Sequence, residues 1–461
     1  MLNQKIGLEF EFPMVNSIGE CASYNDDLRL WKEWKKLGYE YKYDPHTKKI
    51  VGAYKQFQNG KREVGTDYCT GTFEVAMPPE KNLKAARKVW KKFLSEECLP
   101  ILKRNELRIL GYASQPKSRH LKNKMAPKGH YQIWNQLLAA NCAEWIRDKG
   151  SGFAAAQYNI DVPFKQITEV TNALTKITCV VWALSMNDPV SNSEVTRFKS
   201  TRLRVYESIV KGGGFKNRGS FPDDEYKSVE DYIDKAWSKP IFEIIRAGKS
   251  LKPLRRSLTT WSFIKKKRAV FVDLAGNQSE FQIIPEDLAL GIYFYWPAVR
   301  IKMFFNDECS VDRIVAAVKK GQVKKVLSAE GSSCFIEIRP VATAPQEELF
   351  AWPAFFIGLI ENRSQLEKIT KGWSMKDLEA LIPSIQRYGL ATKWKGKSLN
   401  KHGKDIISVA KSGLEKKHKG LVSWLAPLEA RQALGLSPAD KAKRVYEKEG
   451  MNQLVDYLAI K

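Results

Sequence analysis

The sequence predicts an α+β protein built on an antiparallel sheet. One face of that sheet is polar and concave, helices pack on the other, and a helical region closes the chain. Three observations carry this reading. Residues 6–12, 72–77, 154–162, 299–303 and 335–339 each alternate polar and apolar groups with the period of an extended strand. The segments between them hold apolar residues at helical spacing, which favours helices covering one sheet face only. From about Lys371 onward the pattern is helical and basic, with no further strand.

The first strand sets Ile6, Leu8, Phe10 and Phe12 on one side and Glu9 and Glu11 on the other, just after Gly7. Two carboxylates at i and i+2 suit one wall of a site for a hard cation such as Mg²⁺. The plainer alternative is the solvated face of an edge strand. A helix over residues 27–37 and short strands over 39–58 follow. Phe73, Val75 and Met77 then oppose Glu74, and Pro78-Pro79 stops the ladder. Asn82 can cap an amphipathic helix that runs towards Leu102. Residues 107–111 form a short strand that opens into a basic loop, 114–131, containing Lys117, Lys128, His130 and Tyr131. Such a loop either closes over phosphates or is an ordinary surface excursion.

The third polar strand aligns Gln157, Asn159 and Asp161. Amides are costly to bury without partners, so water or a polar ligand belongs in front of them. A core helix over 164–186 ends at Asn187-Asp188-Pro189. Residues 196–206 are rich in arginine, including Arg202. Arginine suits bidentate contact with carboxylate or phosphate, and a solvated helix face is the bland alternative. Gly212-Gly213-Gly214 reads as a flexible break, followed by a helix over 229–244 and short strands at 271–273 and 279–283. Arg300 and Lys302 alternate with apolar residues. Glu337 and Arg339 share a face before Pro340, and an apolar helix begins at Trp352.

Length suggests about two to three domains, and the change to a helical, basic pattern divides the chain into a strand-bearing catalytic domain, 1–370, and a helical C-terminal subdomain, 371–461. With 43% hydrophobic and 28% charged residues among 461, the composition is that of an ordinary soluble protein. No apolar run reaches transmembrane length, and the start shows no signal or transit pattern, so a cytoplasmic location is expected. Seven scattered cysteines without a CxxC pair argue against zinc and against a disulfide framework. The net charge of +25 fits a solvated surface that attracts anions such as ATP. Nucleic acid is the less favoured reading, because no recognised nucleic-acid-binding pattern accompanies the charge. P-loop, GxSxG and HExxH motifs are absent. Acids to hold metal ions, beside Arg and Lys to neutralise phosphates, are what phosphoryl transfer requires.

In chain order the motifs resemble those of glutamate–cysteine ligases of the plant and proteobacterial type, which are carboxylate–amine ligases with a glutamine synthetase-like fold. The resemblance rests on Gly7-x-Glu9-x-Glu11, Phe73-Glu74, Gln115-Pro116-Lys117 and Met125 to Tyr131. It continues through Gln157-x-Asn159-x-Asp161, Asn187-Asp188-Pro189, Ser200-x-Arg202, Trp296-Pro297 to Lys302, Glu337-x-Arg339 and Trp352 to Phe355. It implies an ATP- and Mg²⁺-dependent ligase that phosphorylates the side-chain carboxylate of glutamate. An amine, cysteine in the family's own reaction, then attacks to give a γ-glutamyl amide, as in glutathione biosynthesis. By resemblance, Glu9, Glu11, Glu74 and Glu337 would hold Mg²⁺, and Arg300, Lys302 and Arg339 would neutralise the transferred phosphate. Arg202, with Tyr131 and Lys128, would bind substrate, and Gln157 and Asn159 would lie near the nucleotide or the metal.

Three departures stand out. His130 replaces an arginine, Asp67-Tyr68 replaces an acidic Glu-Pro-Gly run, and residues 193–197 lack a glycine-rich link. The amine pocket is where the resemblance is thinnest. A same-fold ligase joining another acid or amine is therefore one alternative. A silent basic protein that binds nucleic acid or a protein partner is another, and the presence of all four glutamates argues against it. Glu9→Gln and Glu337→Gln are both expected to abolish ATP turnover while leaving thermal stability nearly unchanged.

Overall fold

A computed structural model describes residues 4–211, 221–329 and 334–461; the Gly212-Gly213-Gly214 break lies outside the described residues. The nine strands of the main sheet are β1 (Ile6–Asn16), β2 (Glu40–Tyr43), β3 (Ile50–Phe57), β4 (Gly60–Thr66), β5 (Thr72–Ala76), β6 (Leu107–Ile109), β7 (Ala156–Ile160), β8 (Val299–Met303) and β9 (Cys334–Ile338). Their order is β8-β9-β7-β1-β5-β4-β3-β2, with β6 pairing the far end of β1. Every pairing is antiparallel.

Alternation decides which way each strand faces. Ile6, Leu8, Phe10 and Phe12 are buried against the helices. Phe10 meets Trp90 edge-on at 4.8 Å and Tyr158 at 5.9 Å between ring centroids. Phe73 on β5 stacks on Trp34. Each such side chain contributes about 2–3 kcal/mol by leaving water. Asn82 caps the helix Leu83–Phe93 through Ala85 N–H. A π turn at Leu94–Cys98 then leads into Leu99–Arg104, so the amphipathic stretch reaches Leu102 in three pieces.

Four elements differ from expectation. The helix from Val229 ends at Trp237, ahead of Pro240, whose missing N–H and fixed φ favour no further turn. The segment after it builds a separate four-stranded sheet of Ile244–Arg246, Lys249–Pro253, Arg268–Val272 and Gln278–Gln282. His130 and Tyr131 lie in the first turn of a helix, Gly129–Asn141, rather than in a loop. In the C-terminal region a small hairpin, Lys393–Trp394 with Lys397–Ser398, interrupts the helices; it turns through Lys395 and Gly396, both at positive φ.

The apolar helix Ala351–Glu361 packs against Leu399–Lys417 at glycine-to-backbone distance. A Cβ on Gly358 would stand 2.2 Å from the Ala410 carbonyl oxygen, and one on Gly413 would stand 1.9 Å from that of Gly358. The last helix, Pro438–Leu458, is kinked at Gly450 and packs on Val15, Leu110 and Tyr112.

Candidate active site

The solvent side of the main sheet gathers the polar members of five strands. Glu11 on β1 lies directly opposite Glu74 on β5, and Glu9 lies opposite Gln157 on β7. Asn159 stands between Gly7 and Glu337, and Arg300 pairs across from Glu337. Glu337 is thus two strands from β1, roughly 10 Å at normal sheet spacing. Gly7 leaves the row open, since a Cβ there would press on Asn159 Cβ at 3.2 Å.

The acids near β1 are short of cations. Glu9 and Glu74 make no hydrogen bond or ion pair with any described residue. Glu11 is buried and accepts from Gln157 Nε2 at 2.7 Å and from Ala155 N–H at 2.8 Å. Burial, then the charges of Asp67, Glu74 and Glu9, raise its carboxyl well above the ordinary range. Burial likewise pushes Glu74 up to about 8; Lys128 opposes the rise, and Glu9 and Asp67 add to it. Four carboxylates that repel one another in a desolvated place are what a divalent cation relieves. Among the described residues, however, no three His, Cys, Asp or Glu side chains converge closely enough to enclose a metal by themselves. That suits Mg²⁺, which binds through one or two carboxylates and completes its shell with water and phosphate oxygens.

The cations gather around Glu337. Its carboxylate, fully buried, pairs with Arg300, with Lys302 at 2.5 Å and with Arg339 at 2.8 Å. Burial alone would raise it, but Arg300, Arg339 and Lys302 hold it far below the ordinary carboxylate range. Arg339 also donates to Gln157 Oε1 at 2.7 Å. A continuous relay therefore runs Glu11–Gln157–Arg339–Glu337–Arg300 and joins the acidic half to the basic half. In this state Glu337 is an anchor for cations.

Arg202 sits at the start of the helix Thr201–Lys211, with its backbone N–H held by Asp188 Oδ2 at 2.6 Å. Among the described residues its guanidinium makes only a 3.5 Å bond to the Arg339 carbonyl oxygen, and it lies within electrostatic reach of Glu11 and Asp188. Lys128 and Tyr131 fall on the acidic side instead. Lys128 Nζ donates to the Thr66 carbonyl oxygen, and the Tyr131 hydroxyl donates to Asp67. The His130 ring lies against Tyr131, tilted by 51° with 3.9 Å between centroids. Burial, then Lys128, pushes the imidazole down to about 3, so it is neutral at pH 7 and supplies no charge where an arginine would.

Asp67 is a site residue that sequence reasoning left open, and Tyr293 is one it missed. Arg300 donates to the Tyr293 carbonyl oxygen at 2.9 Å and lies over its ring at 5.2 Å. The phenol is within reach of the Glu9, Glu337 and Glu74 charges. The aromatic run Tyr293 to Trp296, just before β8, was the available signal.

Acids and fixed cations sharing one face of an antiparallel sheet are what an ATP-dependent carboxylate–amine ligase requires. The model of glutamate–cysteine ligase family 2 matches residues 5–456, and the chain belongs to that family. It is 21% identical over 463 residues to the chloroplastic glutamate–cysteine ligase of Arabidopsis thaliana, covering 95% of this chain and 80% of the relative. It is 22% identical over 454 residues to that of Brassica juncea, covering 97% and 77%. Among solved structures, glutamate–cysteine ligase from Francisella tularensis in complex with AMP aligns with a TM-score of 0.58 at 12% identity, covering 99% of this chain and 88% of that one. A bifunctional glutathione synthetase from Pasteurella multocida aligns with a TM-score of 0.53 at 12% identity, covering 99% and 52%. Among the described residues no helix is long and apolar enough to cross a membrane.

Proposed function

We propose that this chain joins the γ-carboxylate of glutamate to the amine of cysteine, consuming ATP. The observation that carries the reading is the relay from Glu11 through Gln157 and Arg339 to Glu337, which keeps an acidic cluster and three cations on one face. The substrate assignment follows the plant relatives, which are named glutamate–cysteine ligases. ATP as cofactor is supported by the family and by the AMP held by the Francisella neighbour.

In this reading Glu9, Glu11, Glu74 and Glu337 would hold the Mg²⁺ ions, one or two carboxylates to each ion, with Glu337 free to do so where phosphate oxygens replace it as partner of Arg300 and Lys302. The metal, when bound, lowers the charge on the phosphates. A γ-carboxylate oxygen of glutamate attacks the terminal phosphorus, and the bond to the ADP oxygen breaks. Arg300, Lys302 and Arg339 stabilise charge spread over the transferring group. The amine nitrogen then attacks the acyl carbon, loses a proton and expels phosphate. Arg202 binds the α-carboxylate of glutamate, because its guanidinium is desolvated and lacks a carboxylate partner. Lys128 and Tyr131 set the substrate side of the acidic cluster, and Gln157 and Asn159 lie against the nucleotide or the metal. We read the enzyme as cytoplasmic, although the plant relatives are named chloroplastic.

The test is ADP release with Mg²⁺, glutamate and a panel of amines. Release that needs glutamate and is fastest with cysteine supports the reading. A different best amine keeps the mechanism and moves the specificity to another acceptor. No release with any pair, together with tight and steeply salt-dependent nucleic-acid binding, would replace it with the binding role.

A further inference from the structure

On the helix-covered side of the sheet, opposite Glu9 and Glu11, a cleft of about 320 Å³ opens beside Ile6. Lys81, Lys84, Lys417, His418 and Lys419 line it. Lys417 and His418 share Glu361, whereas Lys81, Lys84 and Lys419 pair with no described residue. The Lys84 ammonium rests against Gly420, 2.6 Å from where a Cβ would stand, so the two lysine-bearing segments meet here.

Two further features point the same way. The eleven-residue helix Leu83–Phe93 starts at this cleft. Asn82 caps Ala85 N–H, and the N–H groups of Leu83 and Lys84 have no acceptor among the described residues. A helix start of this kind favours anions through its free donors and its dipole. Gln4, only 6% exposed, lines the same cleft, and its Nε2 donates to no described residue. A buried donor without an acceptor is costly, and an anionic oxygen would satisfy it. The volume is that of a small-ligand pocket.

We propose that this cleft is a second anion site, separate from the catalytic face, for a compact small molecule carrying phosphate. Its contacts are the Lys81, Lys84 and Lys419 ammonium groups, the N–H groups of Leu83 and Lys84, and the Gln4 amide. The occupant would sit on the strand that carries Glu9 and Glu11, three residues before Glu9.

The test titrates inorganic pyrophosphate into the full chain at low salt, read by calorimetry. Two classes of site are expected. The double variant Lys84→Glu/Lys419→Glu should weaken one class roughly tenfold or more and spare the other, while Lys302→Ala should do the reverse. Both substituted lysines lack partners among the described residues, so folding should survive; Lys84→Met/Lys419→Met is the milder version if charge reversal does not. Unchanged pyrophosphate binding in a folded Lys84/Lys419 variant overturns the proposal. So does a single class of site lost only with Lys302→Ala. Oligonucleotide binding that disappears in the Lys84/Lys419 variants while pyrophosphate binding persists also overturns it, and makes the patch a nucleic-acid surface.

Discussion

Glu9 and Glu337 look alike in sequence, each one polar step on an alternating strand, yet their surroundings set opposite consequences for neutralising them. Glu9 has no partner among the described residues and adds repulsion to Glu11 and Glu74. Glu9→Gln should lower ATP turnover about 100-fold or more while leaving the urea midpoint unchanged or slightly raised. Glu337 holds Arg300, Lys302 and Arg339. Glu337→Gln leaves the buried Arg300 and the half-buried Lys302 and Arg339 without their carboxylate and should cost about 3 kcal/mol as well as turnover. The sequence alone gave no reason to expect that loss, because it does not show which cations a carboxylate meets. An undiminished urea midpoint in Glu337→Gln would refute the anchoring role. Glu74 carries a pH consequence. Its carboxyl is raised from 4.5 to about 8 in the folded chain. Between those values the folded state holds the extra proton, so this group's contribution to stability falls as pH rises. Mg²⁺ must displace that proton. The rise in melting temperature on adding MgCl₂ should therefore grow from about pH 6 to about pH 8, reflecting proton competition, and Glu74→Gln should flatten it. A shift independent of pH in the unmodified protein would remove Glu74 from the metal set.

At the level of elements, legibility followed burial. Strands β1, β5, β7, β8 and β9 could be read because each is dry on one face and polar on the other, the condition under which period-two alternation is sharpest. Ile244–Arg246 and Lys249–Pro253 were not legible. They are short, and they join through Ala247 and Gly248 at positive φ, without alternation long enough to stand out. The helix Gly129–Asn141 escaped because it starts in a basic Pro/Gly stretch and has no side-chain cap. Asp67 and Tyr293 reach the site only through tertiary placement, Asp67 through the Tyr131 hydroxyl and Tyr293 through Arg300. The pairing of Ala351–Glu361 with Leu399–Lys417 was equally invisible, because isolated glycines in helices do not announce what they touch. Gly413→Ala would place a methyl where the Gly358 carbonyl oxygen now lies. Since backbone cannot swing aside as a side chain can, the helices must separate. A loss of about 1–3 kcal/mol in chemical denaturation is expected, with KM for ATP little changed. A neutral Gly413→Ala would mean that the two helices do not approach this closely.

For the whole molecule the question is whether the composition change near residue 371 marks a unit that stands apart. Ile385, Leu399, Ile406, Leu414 and Leu425 belong to the same apolar core as Ile6, Phe10 and Trp352. The buried Arg431 donates to the Leu184 carbonyl oxygen and pairs with Glu348. At the far end, Gly111 N–H donates to the Leu458 carbonyl oxygen at 2.8 Å, and Ile460 N–H donates to that of Ile109 at 2.9 Å, so the tail extends the edge formed by β6. We therefore propose that the helical subdomain 371–461 folds only together with residues 1–370. Removing it would strip the cover from Ala351–Glu361, whose residues Ala351 to Leu359 are all buried. A chain ending at 370 should accordingly be aggregated or molten, because a large apolar face would meet water. In the intact protein, hydrogen exchange measured against urea should show amides of β1, of Ala351–Glu361 and of Leu399–Lys417 losing protection in one transition. Separate transitions for the segments before and after residue 371, or a soluble and cooperatively folded 1–370 chain, would show that the C-terminal helices are an appendage, and that the sheet with its acidic and cationic face is stable alone.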